Sequence, residues 1–135
     1  MSSSDQQVLL CVDDNEIHCY ALGRCLANLG FKVISAHNGT EALRIVSEVK
    51  TDVILLDINM PDVNGFEVCR RIRAKTELQD VAIVFHTATS ATESSHREAL
   101  DAGADAFLTY PVAITHLQSV IQGCIAKRTT GKLKD

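Results

Sequence analysis

The stretch Val8-Leu9-Leu10-Cys11-Val12-Asp13-Asp14-Asn15 is apolar for five residues and then abruptly acidic. A run apolar at every position, rather than at every second one, suits a strand covered on both faces. Strands of that kind belong chiefly to parallel sheets, whose crossover helices pack on either side. The next segment has the pattern of such a helix. Ile17, Ala21, Leu22, Cys25, Leu26 and Leu29 recur at helical spacing, and Gly30 is placed to end that helix in a left-handed conformation.

The same alternation continues along the chain. Phe31 to Ala36 reads as a second strand, Asn38-Gly39 as a break, and Ala42, Leu43, Val46 and Val49 as a second helix. Val53-Ile54-Leu55-Leu56 is a third strand that stops at Asp57. A loop with Pro61 and Gly65 leads into a helix turning Phe66, Cys69 and Ile72 inward. Val81 to His86 is the fourth strand, and a helix over roughly Glu93 to Ala102 shows little apolar face beyond Ala99 and Leu100. Ala106-Phe107-Leu108 is a short fifth strand, and Ile114, Leu117, Val120, Ile121, Cys124 and Ile125 line a strong last helix. Five βα units with right-handed crossovers predict an α/β fold: a doubly wound, five-stranded parallel sheet, (βα)5. The domain is expected over 7–128, between a flexible N-terminus (1–6) and a flexible tail or linker (129–135).

Composition narrows the class. The 135 residues suit one domain, and 46% hydrophobic content is ample for its core. A formal charge of −4 argues against non-specific binding to nucleic acid or an anionic membrane. The apolar runs are strand-length, so no bilayer span is expected, and Met1-Ser2-Ser3-Ser4-Asp5 lacks a signal-peptide core. The five cysteines include no CxxC pair and read as small buried hydrophobes in a reducing cytosol. The run Arg70-Arg71-Ile72-Arg73-Ala74-Lys75 reads as a solvated helix face, and Lys127, Arg128, Lys132 and Lys134 as a solvated helix end or an excised linker rather than a polyanion-binding tail. His18 and His96 read as helix-surface residues, and His86 as a buried or edge-satisfied structural one rather than a metal ligand.

Acids gather where chemistry is expected. In open parallel sheets ligands bind beyond the carboxyl ends of the strands. Those ends carry Asp13 and Asp14, then Asp57, then Thr87. With the first and third strands adjacent at about 4.8 Å, three carboxylates converge. Such charges raise one another's pKa unless a cation neutralises them, and Mg2+ suits one or two carboxylates plus waters and a phosphoryl oxygen. A carboxylate beside it is a potential nucleophile toward phosphorus, with Thr87 as donor to the transferring group. The plainer alternative for Asp14 is a helix N-cap.

The residues Leu10-Cys11-Val12-Asp13-Asp14-Asn15, Asp57-Ile58-Asn59-Met60-Pro61-Asp62-Val63-Asn64-Gly65, His86-Thr87-Ala88 and Ala102-Gly103-Ala104 resemble the receiver domain of two-component response regulators, over about Val8 to Arg128. The resemblance implies the flavodoxin-like strand order 2-1-3-4-5. It also implies a role for each matching residue. Asp57 would take a phosphoryl group from a histidine kinase or phosphotransfer protein. Asp14, Asp57 and the backbone carbonyl of Asn59 would ligate Mg2+, with Asp13 acting through water. Thr87 would bond the phosphoryl group, and Phe107 would be the switch aromatic, on the face formed by the fourth helix, fifth strand and fifth helix. A plain core aromatic is the alternative for Phe107.

One position departs from the family. A Lys is usual before the Pro that follows strand five, and here Tyr110 precedes Pro111. A phenol is neutral at pH 7 and offers one neutral hydrogen bond where the family has a charge-assisted one. The Tyr110–Pro111 bond is expected to be cis, as the family's Lys–Pro bond is. Two functional readings compete: a phospho-switch working without the Lys, or a pseudo-receiver that docks partners independently of phosphorylation. Enzyme readings are weak. A flavodoxin would place Ser, Thr and Gly where Asp13-Asp14-Asn15-Glu16 stands, and a dehalogenase-type phosphatase would place Asp at Asn59. Because the match takes up nearly all of the sequence, the chain is expected to signal through its own surface.

Overall fold

A computed structural model describes residues 6–88 and 92–134, without side chains for 129–134. The elements are β1 (Val8–Val12), α1 (Glu16–Asn28), β2 (Lys32–Ala36), α2 (Gly39–Glu48), β3 (Val53–Leu56) and α3 (Gly65–Arg73). A 3-10 turn (Thr76–Leu78) leads to β4 (Ala82–Ala88), α4 (Glu93–Asp101), β5 (Ala106–Tyr110) and α5 (Ile114–Lys134). All neighbouring strands pair in parallel, in the order β2-β1-β3-β4-β5. This is the doubly wound fold expected from the alternation of elements.

Strand alternation divides the core in two. Leu10, Val12, Ile54, Leu56, Ile83 and Phe85 face one side and pack with residues of α2, α3 and α4. Leu9, Cys11, Val53, Leu55 and Val84 face the other, against Cys19 and Leu26 of α1 and Leu117 and Ile121 of α5. The central strands are sealed at nearly every position, which is why their sequences are continuous apolar runs rather than alternating ones. Among the cysteines, Cys11, Cys19 and Cys69 are buried and Cys124 is half-buried, but Cys25 lies on the exposed side of α1.

Side-chain caps start the helices. Asn15, Asn38, Asn64 and Thr92 accept from the backbone N–H three residues on, at 3.0, 2.8, 3.0 and 3.1 Å. Thr92 explains how α4 begins where expected despite burying only Ala99 along its length. Helix α1 ends at Gly30, whose φ of 103° is the left-handed conformation expected of it.

Several boundaries differ from the sequence reading. β4 runs to Ala88 and β5 to Tyr110, because Thr87 pairs with Thr109 and Ala88 with Tyr110, so each strand extends the other. At the C-terminus the helical backbone of α5 continues through Lys134, into the stretch read as a tail; extending a formed helix costs little per residue. Residues 1–5 of the expected N-terminal segment lie outside the described residues.

The basic run on α3 is not uniformly solvated. Arg73 is half-buried, donating to the carbonyls of Gly103 (2.8 Å) and Val81 (2.7 Å) and to Asp105 (2.9 Å). Arg128 of α5 binds the other oxygen of Asp105 at 2.9 Å. The sequence shows neither role, because Asp105 reaches both arginines only after the chain has returned to the sheet edge. Buried charges need such pairing.

Candidate functional site

β1 and β3 are neighbours with Val12 beside Leu56, so Asp13 and Asp57 leave the sheet side by side. Carboxylate oxygens of Asp13, Asp14 and Asp57 all lie within 4.8 Å of one another. Asp13 and Asp57 are buried, while Asp14 is exposed. The helix-cap alternative for Asp14 does not hold, since Asn15 caps α1. Asp13 in turn accepts the Asn15 N–H on Oδ1 at 2.9 Å. Asp14 therefore remains available to the acidic cluster.

Asp57 is held from two directions. The Ile58 N–H donates to its Oδ1 at 2.8 Å, and the Thr87 hydroxyl donates to the same oxygen at 3.0 Å. Oδ2 is the oxygen these bonds leave open. Burial, then the Asp13 charge, pushes the Asp57 carboxyl above its ordinary range; the bonds from Thr87 and Ile58 offset part of this. Gly65 lies against the same residue. A Cβ there would sit 2.3 Å from the Asp57 carbonyl oxygen and 2.9 Å from the Phe85 ring, so only glycine lets α3 approach this closely.

The loop after β3 is tied down by a residue whose function the sequence does not reveal. Asp62 accepts from the backbone N–H groups of Gly39 (2.9 Å) and Thr40 (3.0 Å) at the start of α2, and of Val63 (2.7 Å). Bonding from Thr40, with help from these backbone groups, holds its carboxyl well below the usual range. Asn59 lies in the loop thus pinned. The donor set is entirely oxygen, partly buried and mutually repelling, which fits a hard divalent cation such as Mg2+.

Tyr110 closes the opposite side of the cleft, and the Tyr110–Pro111 peptide is cis. Its ring packs on His18 (centroids 4.6 Å apart) and His86 (4.8 Å), and the two imidazoles are parallel at 5.9 Å. Burial, then the charges of Asp57, Asp13 and Asp14, raises the phenol above its ordinary value, so it is neutral at pH 7. His86 is buried as expected, and desolvation followed by His18 lowers its pKa to about 4. His18 is not the surface residue its helical position suggests. Its Nδ1 pairs with Asp13 Oδ2, and Tyr110 covers its ring. The missing signal is non-local: a residue more than ninety positions later folds over it.

Phe107 is half-buried between Phe85, 6.1 Å away, and His96 of α4, which stacks on it at 4.9 Å and 17°. His96 is therefore a partner of this ring and not merely a surface residue.

Comparisons with known proteins agree with this architecture. The family model for the response regulator receiver domain matches residues 9–122. The response regulator MprA of Mycobacterium ulcerans (strain Agy99) is 36% identical over 127 residues, covering 94% of this chain and 52% of its own. The chain thus spans about half the length of the curated relatives it matches. The net charge of this stretch therefore does not support the expectation that nucleic acid is no partner.

Two solved structures bear on the site. The receiver domain of the sensor histidine kinase PA1611 from Pseudomonas aeruginosa PAO1, with a magnesium ion coordinated in its active-site cleft, is 29% identical. It covers 90% of this chain and 98% of its own, with a TM-score of 0.81. A response regulator from Burkholderia pseudomallei with a phosphorylated aspartic acid is 26% identical. It covers 94% of this chain and 73% of its own, with a TM-score of 0.79. Sheet order, acidic cluster and family match converge on one assignment: the chain belongs to the response regulator receiver domain family.

Proposed function

We propose that Asp57 is the phosphoacceptor of a two-component or phosphorelay pathway, receiving its phosphoryl group from a sensor histidine kinase or a phosphotransfer protein. The observation that carries this reading is the seating of Asp57: two donors on Oδ1, Oδ2 open, and Asp13 and Asp14 alongside. Oδ2 attacks the phosphorus of a phosphohistidine, the P–N bond breaks, and the imidazole leaves with the electron pair. Asp14, Asp57 and the Asn59 carbonyl would hold Mg2+, with Asp13 acting through water. The cation, when bound, offsets the charge on the transferring oxygens. Thr87, which already reaches Asp57, moves its bond to a phosphoryl oxygen and carries β4 with it. Phe107 reports that movement on the face of α4, β5 and α5. Among the described residues no helix is long and apolar enough to cross a membrane, and the location we propose is the cytoplasm.

Incubation with acetyl phosphate and Mg2+, or with beryllofluoride, tests the reading. An Asp57-dependent mass increase or spectral shift is expected; its absence in wild-type protein would leave the pseudo-receiver reading in its place. Tyr110 predicts a second result. Tyr110→Lys replaces a neutral donor with a charged one, and bonds to charged groups exceed neutral ones by about 1.4 kcal/mol. Beryllofluoride should then bind about tenfold more tightly than to wild type. Equal affinities would mean that the phenol is no handicap.

A further inference from the structure

We propose that His18 is a positioning residue for the cation site: by donating from Nδ1 to Asp13 it fixes the carboxylate that orders the site from its buried side. The inference rests on the role assigned above to Asp13. Both oxygens of that carboxylate are engaged, Oδ1 by the Asn15 N–H at 2.9 Å and Oδ2 by His18. A carboxylate has about four lone-pair sites, so two remain for a cation's water shell. The two bonds set which way those sites point.

The imidazole is itself held. Tyr110 lies against one part of the ring with centroids 4.6 Å apart, and His86 runs parallel to it at an interplanar angle of 6°. His86 is buried on β4, and Tyr110 is on β5 next to it, so sheet strands brace the ring. On its other side His18 is rooted in the first turn of α1, where its own N–H is capped by Asn15 at 3.0 Å. The residue that departs from the family, Tyr110, thus has a partner that makes use of it. An aromatic ring packs on an imidazole face and holds it in place. Groups that orient metal-binding carboxylates are worth about ten- to a hundredfold in affinity.

Calorimetric titration of the whole chain with MgCl2 tests this. His18→Phe keeps a ring for Tyr110 and His86 but removes the donor; His18→Asn keeps a donor near the Nδ1 position. We expect the Phe variant to bind Mg2+ about tenfold more weakly than wild type, with the Asn variant recovering most of the loss. Circular dichroism checks that each variant is folded, and His18→Leu takes the place of the Phe variant if that one is not. Equal affinity in wild type and the donor-less variant would overturn the inference while leaving the phosphoacceptor reading intact. So would an Asn variant as weak as Phe, since the ring and not the bond would then matter. A wild-type protein that binds no Mg2+ would bring down both.

Discussion

Asp57→Asn is expected to abolish the acyl phosphate formed from acetyl phosphate and Mg2+, and at the same time to give a Mg2+-free protein that melts several degrees higher than wild type. The first effect comes from removing the nucleophilic oxygen. The second is electrostatic. Burial and Asp13 raise the native carboxyl above its unfolded value. A group with a raised native pKa contributes stability below its unfolded pKa and loses it as pH rises through the native value. At neutral pH the ionised Asp57 is therefore a burden on the apo fold, and an amide of similar shape removes it. For a domain of this size each kcal/mol gained raises the melting temperature by roughly 3–5 °C. Scanning calorimetry at pH 7 and pH 3.5 measures it, and the difference should shrink at the acidic pH, where wild-type Asp57 is itself protonated. A labelled Asn variant would place the phosphoacceptor elsewhere, and one no more stable than wild type would mean that the buried charge does not strain the apo fold.

The second large effect lies at His86. Its native pKa is about 4 against an ordinary value near 6.5, chiefly because burial disfavours the charged ring. The unfolded chain takes up this proton first. Stability is therefore present above pH 6.5 and is lost as pH falls from there through 4. The gap between those two values corresponds to about 3 kcal/mol. Urea unfolding at pH 7 and pH 4 should show that loss in wild type. His86→Phe, which keeps a ring against Tyr110 and has no proton to bind, should show a much smaller loss. Parallel pH dependences in the two proteins would mean that His86 is not the residue responsible.

What the sequence makes legible depends on the range of the interactions involved. Val8–Val12 and Val53–Leu56 could be recognised as buried parallel strands because covering both faces demands an apolar side chain at every position. Asp13, Asp14, Asp57 and Thr87 could be read as a site because strand ends are where a parallel sheet exposes its cleft. The order of the strands was not contained in any of these runs and came from family resemblance. Local rivalry also hid detail: Asp14 and Asn15 are both good caps, and only the bond from the Asn15 N–H to Asp13 shows how the turn is arranged.

Long-range contacts hid the rest. His18 looks solvent-facing from α1 alone, and its half-buried position depends on Tyr110, which arrives with the last strand. Arg73 sits in a basic run typical of a wet helix face, yet the carbonyls of Val81 and Gly103 and the carboxylate of Asp105 enclose it. The extra residues on β4 and β5 likewise exist through each other, as Thr87 and Ala88 are strand because Thr109 and Tyr110 pair with them.

The placement of Tyr110 has a practical consequence. The chain has no tryptophan and two tyrosines, and Tyr20 stands two-thirds exposed on α1 while Tyr110 lies over the acidic cleft. Its ultraviolet emission is thus free of the indole signal that ordinarily swamps a phenol, and one of its two sources borders the proposed phosphoacceptor. The domain carries its own optical probe, with Tyr20→Phe isolating the cleft signal without attaching a dye.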